Sequence, residues 1–197
     1  MGKKIMKKDI YFSFDIEADG PYPGDYSMLS LGCVAFDADG TELGSWYANF
    51  ELLEGASQDP DTMRFWAENQ KYYDLTRTWT QNPKEAMTHF VEWVESFDGT
   101  PVGVAMPAGF DFTWLWWYSK KFVGRSPFSF SCIDMKTMAW TMLGGNLYRE
   151  STKKNWPKNW FSKFKHDHHA LNDAREQGHT FMNILKDLRS RSQSQPK

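Results

Sequence analysis

Residues 11–20 join a hydrophobic strand to two acidic side chains, and this stretch constrains the fold more than any other. Strand-favouring residues run up to Phe14, after which Asp15 and Glu17 lie on either side of Ile16. Because side chains alternate across a strand, both carboxylates emerge on the same face, a few ångströms apart. Two negative charges at such a short distance repel each other, so the pattern favours neutralisation of the pair by a proton or by a cation. Carboxylate oxygens suit Mg²⁺ or Mn²⁺. The alternative is a strand that simply runs out into solvent.

Length and composition indicate one globular domain over residues 1–189, followed by a polar tail, residues 190–197, that we expect to be disordered. Hydrophobic residues make up 41% and aromatic residues 17% of the 197 positions, which excludes a largely disordered chain. The formal net charge of −2 excludes a protein that coats nucleic acid with a globally basic surface. Any contact with nucleic acid must therefore come from a local basic patch or from metal ions bound by acidic residues.

The cysteines and the lengths of the apolar runs bear on location. Cys33 and Cys132 lie in apolar, strand-like runs without metal-binding spacing, so we expect buried thiols in a reducing compartment. No apolar run approaches the roughly 20 residues of a membrane span. The basic residues at the N-terminus are not followed by the hydrophobic region of a secretory signal. We therefore expect a cytoplasmic protein without a membrane partner.

The succession of sequence patterns predicts an α/β fold. Residues 27–36 and 42–52 are predicted to be two further strands joined by a hairpin turn, so the chain opens with an antiparallel meander. Helices and strands then alternate, which predicts parallel crossover strands added to the meander, and thus a mixed five-stranded sheet flanked by helices. The later strands are expected at residues 100–106 and 128–133, and the helices at residues 62–73, 83–97, 112–122, 134–143 and 170–188. Residues 144–169 show little periodicity and are expected to form a long functional loop.

Three more residues extend the acidic pair into a possible site. Asp111 follows a short strand and stands where a helix is expected to begin. Ligands of open α/β sheets bind at this edge, although an aspartate here can also cap the helix, and the two roles are compatible. Asp173 lies about one turn inside the last helix, and His168 lies five positions earlier. The chain therefore carries four acids and a histidine, in the order Asp15, Glu17, Asp111, His168 and Asp173.

This order of motifs resembles that of the DEDDh exonucleases of the RNase H-like superfamily, a group that includes RNase T, proofreading exonuclease subunits and oligoribonuclease. The resemblance spans about residues 9–185. FDIEA, residues 14–18, is similar to the first motif of the family, and HHALNDA, residues 168–174, is similar to the third. The middle motif rests on Asp111 and its context. The resemblance implies an RNase H-like sheet and a catalytic role for the four acids and the histidine.

The resemblance also implies a mechanism with two divalent ions, Mg²⁺ or Mn²⁺, about 4 Å apart. Asp15 would bridge both ions, and Glu17 and Asp173 would hold the ion that binds the attacking water. Asp111 would reach a metal directly or through water. His168 would accept the proton of that water, since the ordinary pKa of histidine lies near neutrality. The products would be nucleoside 5′-monophosphates, released from the 3′ end of a single strand or a 3′ overhang.

Two expectations about partners come from the resemblance. The compact build is similar to that of small bacterial-type exoribonucleases, which favours RNA mildly over DNA. Many relatives are homodimers, so a homodimer is a further expectation. The aromatic run at residues 114–118 would then be either part of the core or part of a dimer face.

Residues 149–165 interleave basic and aromatic side chains. Basic groups bind phosphates and rings stack on bases, which is how proteins hold single strands without much sequence preference. Trp66, in the helix predicted after the meander, is a further candidate for stacking on a terminal base. The expected substrate contacts are Ala18, Trp66, Lys153, Lys154 and Trp156. The alternative is a solvated loop whose aromatic residues are anchored in the core.

Other interpretations of the same residues remain open. Zinc could be held by a cluster before the last helix, formed by His166, His168, His169 and Asp167. The protein could be a non-catalytic nucleic-acid-binding scaffold that keeps the fold. It could also hydrolyse small nucleotides rather than polymers. The remaining acids of these regions are assigned to turns, helix caps or solvent: Asp19, Asp25, Asp134 and Asp167.

Overall fold

Five strands form one mixed sheet in the computed structural model, which describes residues 8–193. The strands are β1 (Asp9–Ala18), β2 (Met28–Phe36), β3 (Glu42–Asn49), β4 (Thr100–Ala105) and β5 (Ile133–Asp134). Their order across the sheet is β3-β2-β1-β4-β5. Strand β2 pairs antiparallel with β1 and β3, whereas β4 pairs parallel with β1 and β5. The predicted meander with parallel crossover strands is confirmed.

Six α-helices flank the sheet in the described part of the chain. They are α1 (Pro60–Glu68), α2 (Gln70–Thr76), α3 (Pro83–Glu95), α4 (Ala108–Tyr118), α5 (Met135–Met142) and α6 (Ala170–Gln193). Side chains cap the first turns of three helices: Asp59 for α1, Asn82 for α3 and Asp134 for α5. Each cap satisfies a backbone N–H that has no partner within its helix, which explains why these helices begin where they do.

The structure corrects two predicted elements. The helix predicted at residues 62–73 is two helices that meet at Asn69, where a φ of −120° interrupts the helical backbone. The strand predicted at residues 128–133 is reduced to the two residues of β5, because pairing with β4 begins only at Ile133. An apolar segment is expected to be buried, but its composition does not show whether a neighbouring strand is present to form the hydrogen bonds of a sheet.

The boundaries of α4 and α6 also differ from the prediction. Helix α4 begins at Ala108, earlier than predicted, so Asp111 lies in its first turn and Pro107 occupies the N-cap position. Asp111 is therefore not the cap of this helix. Helix α6 continues to Gln193, so the start of the polar tail is helical rather than disordered. Residues 194–197 lie outside the described part of the chain.

The sheet separates two hydrophobic cores. On one face, Phe12 and Phe14 of β1 pack with Phe90 of α3 and with residues of α4. On the other face, Tyr11 packs with Phe181 of α6 and with residues of α5. Because side chains alternate along β1, the acids that follow in this strand share the face of Tyr11 and lie on the side of α6.

Most of the aromatic side chains are either buried or packed against one of the two hydrophobic cores. Trp66, Trp114 and Trp160 are among the largest fully buried side chains. Within residues 114–118, the first tryptophan, the leucine and the tyrosine are buried, whereas Trp116 is half-buried. This run therefore belongs mainly to the core, where large rings bury the most apolar area.

Both cysteines carry free thiols. Cys33 is buried, as predicted, and burial raises the pKa of its thiol. Cys132, just before β5, is half-buried rather than buried, and burial raises the pKa of its thiol to about 12. Both thiols are therefore protonated at neutral pH and are poor nucleophiles. No helix within residues 8–193 is both long enough and apolar enough to cross a membrane.

Helix α6 lies very close to the sheet. A Cβ atom on Gly32 of β2 would lie 2.3 Å from the backbone carbonyl carbon of Ala170, so only glycine fits at this position. Further along the helix, Gln177 Nε2 donates a hydrogen bond of 3.1 Å to the backbone oxygen of Phe14. Since Gly32 lies opposite Asp15 in the β1–β2 pair, this contact places the first turn of α6 over the acidic end of β1.

We expect Gly32→Ala to lower the free energy of unfolding by about 1–3 kcal/mol, because the added methyl group would force α6 away from the sheet. Gly109→Ala is the matched control, since a Cβ atom there has no neighbour within 4 Å. Urea denaturation of the two variants and the parent protein measures the difference. Equal stability of Gly32→Ala and the parent protein would contradict the close packing of α6.

Candidate active site

Three of the predicted acids lie together where β1 ends. Asp15 and Glu17 emerge on one face of this strand, and Asp173 reaches them from the first turn of α6. One carboxylate oxygen of each residue lies within 4.8 Å of the other two. Asp173 is buried, and the two acids of β1 are partly exposed. Oxygens gathered at this distance from two separate elements are suited to hold a divalent cation.

Asp111 joins these acids from α4, and we call the four residues Asp15, Glu17, Asp111 and Asp173 the acidic cluster. Asp111 Oδ1 accepts a hydrogen bond of 3.3 Å from the backbone N–H of Ile16, which lies between the two acids of β1. The side chain is 3% exposed. Burial raises the pKa of Asp111 from 3.8 to about 7, because desolvation disfavours the carboxylate form.

Burial and repulsion together act on the two acids of β1. The pKa of Asp15 is raised well above its ordinary value, first by burial and then by the charges of the other three acids. The pKa of Glu17 is raised by burial and then by the charges of Asp173, Asp111 and Asp167. Among the largest contributions to the pKa of Asp15, the charge of Lys153 lowers it. One lysine leaves most of the negative charge uncompensated, and a set of carboxylate oxygens fits Mg²⁺ or Mn²⁺.

The segment before α6 wraps around the carboxylate of Asp173. The backbone N–H groups of Asp167 and His168 donate hydrogen bonds of 2.8 and 2.9 Å to its two oxygens. The Nδ1 atom of His166 lies 3.0 Å from Asp173 Oδ2. This hydrogen bond raises the pKa of His166 above its ordinary value. Together these contacts fix the orientation of the Asp173 oxygens relative to β1.

His168 lies beside the acidic cluster in a strained conformation. Its φ of 60° falls in the left-handed region, which residues other than glycine rarely adopt. Its ring packs edge-on against Phe65, with 5.2 Å between ring centroids, and lies 4.8 Å from the ring of His166. A potential ligand atom of each of the two histidines and of Asp173 lies within 4.8 Å of the others.

The four residues of the alternative zinc cluster are not brought together. The ring of His169 stacks on Tyr47, with 4.6 Å between ring centroids. The side chain of Asp167 accepts hydrogen bonds from Asn172. The group that the structure does assemble combines two of the histidines with Asp173. His166 is therefore a residue of the site, although the sequence pattern placed it only in the zinc alternative.

Two predicted stacking residues lie in the core instead. Trp66 is 2% exposed, and its indole N–H donates a hydrogen bond of 2.9 Å to the backbone oxygen of Ala18. Trp156 is 5% exposed, and its indole N–H donates a hydrogen bond of 3.0 Å to the backbone oxygen of Ser151. Neither ring presents a face to solvent, so the expectation that these two rings stack on bases is corrected. Ala18 is also buried, and its carbonyl is engaged by Trp66.

An exposed ring does lie beside the site. Phe65 is 40% exposed and packs against His168, and Tyr72 of α2 lies 6.1 Å from the same histidine ring. Neither residue was singled out from the sequence. Phe65 precedes Trp66 in α1 and adjacent helical positions point in different directions, but the sequence alone does not show which of the two rings packs inward. When Trp66 packs inward, Phe65 is left nearer to solvent.

The two predicted phosphate-binding lysines differ in their surroundings. Lys153 Nζ lies 2.8 Å from Glu176 Oε2, within a partly buried ion pair, and its charge acts on Asp15. Lys154 is exposed and lines a surface cavity together with Arg149. The structure thus brings one lysine next to the acidic cluster and leaves the other further out on the same segment.

Comparisons with known proteins show that this chain is related by sequence to known exonucleases. A family model described as the 3′-5′ exoribonuclease Rv2179c-like domain matches residues 11–185. Cap18, a 3′-5′ DNA exonuclease of Escherichia coli, is 32% identical over 185 residues, which cover 91% of this chain and 93% of that protein. Both matches extend over nearly all of the sheet and helices described above.

Solved nuclease structures share the fold. The nuclease domain of 3′hExo, a DEDDh family member bound to rAMP, has a TM-score of 0.61 at 7% identity, covering 94% of this chain and 95% of that chain. The Mg²⁺- and Mn²⁺-bound form of Pop2p from S. pombe has a TM-score of 0.63 at 13% identity, covering 88% and 82%. These likenesses confirm the predicted RNase H-like fold. With the family match, they identify the protein as a 3′-5′ exonuclease that belongs to the family of Rv2179c-like 3′-5′ exoribonuclease domains.

Proposed function

We propose that the protein releases nucleoside 5′-monophosphates from the 3′ end of single-stranded nucleic acid or of a 3′ overhang, with Mg²⁺ or Mn²⁺ bound by the acidic cluster. The observation that carries this proposal is the convergence of four acids in a site where burial and repulsion raise the pKa values of Asp15 and Glu17, and where burial raises the pKa of Asp111. Divalent cations are the groups that relieve such repulsion in proteins. The Mg²⁺- and Mn²⁺-bound form of Pop2p supports the same choice of ions.

All four members of the acidic cluster are assigned to two divalent ions. Bound ions would polarise the scissile phosphate, activate the attacking water and stabilise the leaving 3′-oxygen. The chain's own contribution is to hold the ligand oxygens in place. The backbone N–H of Ile16 orients Asp111, and the N–H groups of Asp167 and His168 orient Asp173. The residues joined by these three hydrogen bonds come from β1, α4, α6 and the segment before α6, which meet only in the folded protein.

We assign the role of proton acceptor to His168. Its ring lies within ligand distance of Asp173, and packing against Phe65 restricts its rotation. An imidazole near neutral pH can take the proton of an attacking water and pass it to solvent. His166 is the competing candidate, but its Nδ1 atom is already engaged by the Asp173 carboxylate.

RNA is the substrate that we propose first, and the description of the matched family as exoribonucleases supports it. DNA is the second candidate, because the relative that is 32% identical is named a DNA exonuclease. The rAMP bound to 3′hExo supports a nucleoside monophosphate as the product. For the substrate, we assign phosphate contacts to Lys153 and Lys154, and a contact to the terminal nucleoside to the exposed ring of Phe65. A scaffold without catalysis is disfavoured, because no acid of the cluster is missing.

Asp15→Asn should abolish turnover, because Asp15 has the central position in the proposed metal site. The measurement is an electrophoretic time course on matched 5′-labelled single-stranded RNA and DNA oligomers, with Mg²⁺, with Mn²⁺ and with EDTA. The control is Asp39→Asn, which changes an exposed carboxylate in the turn between β2 and β3. A ladder that shortens from the 3′ end in the parent protein and the control, but not in Asp15→Asn or EDTA, is the expected result. An undiminished ladder from Asp15→Asn would contradict the proposed site.

His168→Ala should lower kcat by roughly 10²–10⁴-fold while metal binding survives, since only the proton acceptor is removed. Single-turnover rates give the effect, and the rise in thermal stability on adding Mn²⁺ reports metal binding. His89→Ala, at an exposed position of α3, is the matched control. His166→Ala is measured in parallel. A larger loss for His166→Ala than for His168→Ala would transfer the role to His166.

The metal-free protein should lose stability as the pH rises from about 4 to about 7. Asp111 ionises near 3.8 in the unfolded chain but near 7 in the fold, so its protonated form favours the fold most at low pH and this contribution is lost through about pH 7. One pKa unit corresponds to about 1.4 kcal/mol, which gives an expected loss of about 1–4 kcal/mol.

Asp111→Asn isolates this effect, because asparagine keeps an oxygen for the N–H of Ile16 but does not ionise. Urea denaturation in EDTA at pH 5 and pH 8 should show a smaller pH dependence for this variant than for the parent protein. Adding Mg²⁺ or Mn²⁺ at pH 8 should stabilise the parent protein more than the variant. Identical pH dependence in both proteins would show that Asp111 is not ionising in this range.

A further inference from the structure

A cavity of about 230 Å³ adjoins the acidic cluster on the side of β4 and β5. It is lined by Met106, Pro107, Lys136, Ser151, Thr152 and Lys153. The first two residues follow β4, Lys136 lies in the first turn of α5, and the other three belong to the segment between α5 and α6. The cavity therefore lies where three parts of the chain meet, and of its lining residues only Lys153 has a role assigned above.

Two contacts connect this cavity to the site. The backbone oxygen of Pro107 accepts a hydrogen bond of 3.4 Å from the N–H of Asp111, so one wall of the cavity is the start of the helix that carries this acid. On the other wall, the charge of Lys153 lowers the pKa of Asp15. A ligand in the cavity would thus be next to any group bound at the acidic cluster.

The polar groups that line the cavity suit an anion. Thr152 Oγ1 is buried and has no hydrogen-bond partner among residues 8–193, which is costly unless a ligand or water supplies one. Lys136 Nζ lies 4.6 Å from the centroid of the Tyr148 ring, which holds this ammonium group beside the segment that carries Thr152. The hydroxyl of Thr152 and the ammonium groups of Lys136 and Lys153, the last of which is paired with Glu176, are donors of the kind that bind phosphate oxygens.

A larger cavity lies next to this one. It has a volume of about 600 Å³, shares Ser151 with the first, and is lined by Arg149, Lys154, Asn155 and one acid, Glu150, together with apolar residues such as Leu147. Cations and apolar side chains along one groove match the alternating phosphates and sugars or bases of a strand.

The opposite side of the acidic cluster has a different character. There α1 and α2 present the exposed ring of Phe65 and the ring of Tyr72, both packed against His168. Their charges are mixed, with Arg64 and Lys71 against three acids of the same helices. Rings without a cationic surplus suit a single nucleoside, whereas the basic groove suits a continuing polyanion.

We propose that the groove from Lys136 and Thr152 to Arg149 and Lys154 binds the strand on the 5′ side of the scissile bond. Lys136 and Thr152 bind the first phosphate beyond the one that is cleaved, and Arg149 and Lys154 bind phosphates further along. This inference rests on the proposed exonuclease function and assigns the direction in which the strand leaves the site. It makes affinity depend on the length of the strand.

The test compares two substrates that differ only in what lies 5′ of the scissile bond. An unphosphorylated dinucleotide has no phosphate beyond the scissile one, whereas an octanucleotide of the same sugar fills the groove. We expect Lys136→Ala and Thr152→Val each to raise KM for the octanucleotide about 10-fold, with kcat little changed and with both constants for the dinucleotide unaffected. Thr152→Ser should restore the KM of the octanucleotide, because it keeps the hydroxyl group.

The dependence on salt gives a second measurement. Lys136→Ala should reduce the slope of log affinity for the octanucleotide against log salt concentration by about one, as expected for the loss of one phosphate contact. Lys84→Ala, an exposed lysine of α3 on the other face of the sheet, should change neither slope nor KM. Thermal unfolding of each variant verifies that it remains folded.

The outcomes separate this inference from the proposed function. An unchanged KM for the octanucleotide in folded Lys136→Ala and Thr152→Val would overturn the groove and leave the exonuclease proposal intact. Equal losses on the dinucleotide and the octanucleotide would also overturn it, because they would place these residues at the scissile phosphate. Degradation of neither substrate by the parent protein with Mg²⁺ or Mn²⁺ would overturn both proposals.

Discussion

The acidic cluster exists because the packing of α6 is strong enough to oppose the repulsion between its carboxylates. Without that packing, the charges on β1 and on Asp173 would drive the helix away from the sheet. Ala174, Phe181 and Ile184 of α6 are buried in the core, and burial of each large apolar side chain contributes roughly 1.5–3 kcal/mol. The absence of a side chain at Gly32 then lets the helix backbone approach the strand closely enough for the carboxylates to share a cation. Geometry at the site is thus set by apolar contacts elsewhere along the same helix.

Burial also determines what the cluster can do chemically. Carboxylates in water would neither raise one another's pKa so far nor attract a cation so strongly, because solvent would screen them. The backbone hydrogen bonds to Asp111 and Asp173 hold the oxygens without adding a competing side-chain cation. Two basic side chains do lie nearby: the ammonium of Lys153 is shared with Glu176, and His166 Nδ1 lies 3.0 Å from Asp173 Oδ2. The site therefore gathers carboxylate charge that a divalent ion could neutralise.

Elements with strong periodicity or a clear cap could be predicted from the sequence, and those that depend on distant partners could not. Strand β1 and the start of α6 carry the acidic motifs within regular patterns, so their positions followed directly. The break at Asn69 and the shortness of β5 depend on packing and on strand pairing, which no local pattern reveals. The burial of Trp66 was missed for a similar reason, because its partner is the backbone of Ala18, 48 positions away in the chain. A tryptophan in a helix looks the same in sequence whether it faces solvent or the core.

The end of β1 is closed on one side, and this asymmetry is suited to an enzyme that acts on strand ends. Asp19, which the sequence assigned to a turn or to solvent, is buried, and its side chain accepts a hydrogen bond of 2.5 Å from the N–H of Ser27. Its backbone oxygen accepts another, of 2.8 Å, from Asp59, the cap of α1. These bonds, with the one between Trp66 and Ala18, tie α1 to the strand that carries two of the acids. A nucleic-acid strand bound across the acidic cluster would meet helix α1 on one side and open surface on the other. A chain end fits that arrangement, whereas an internal segment would need both sides open.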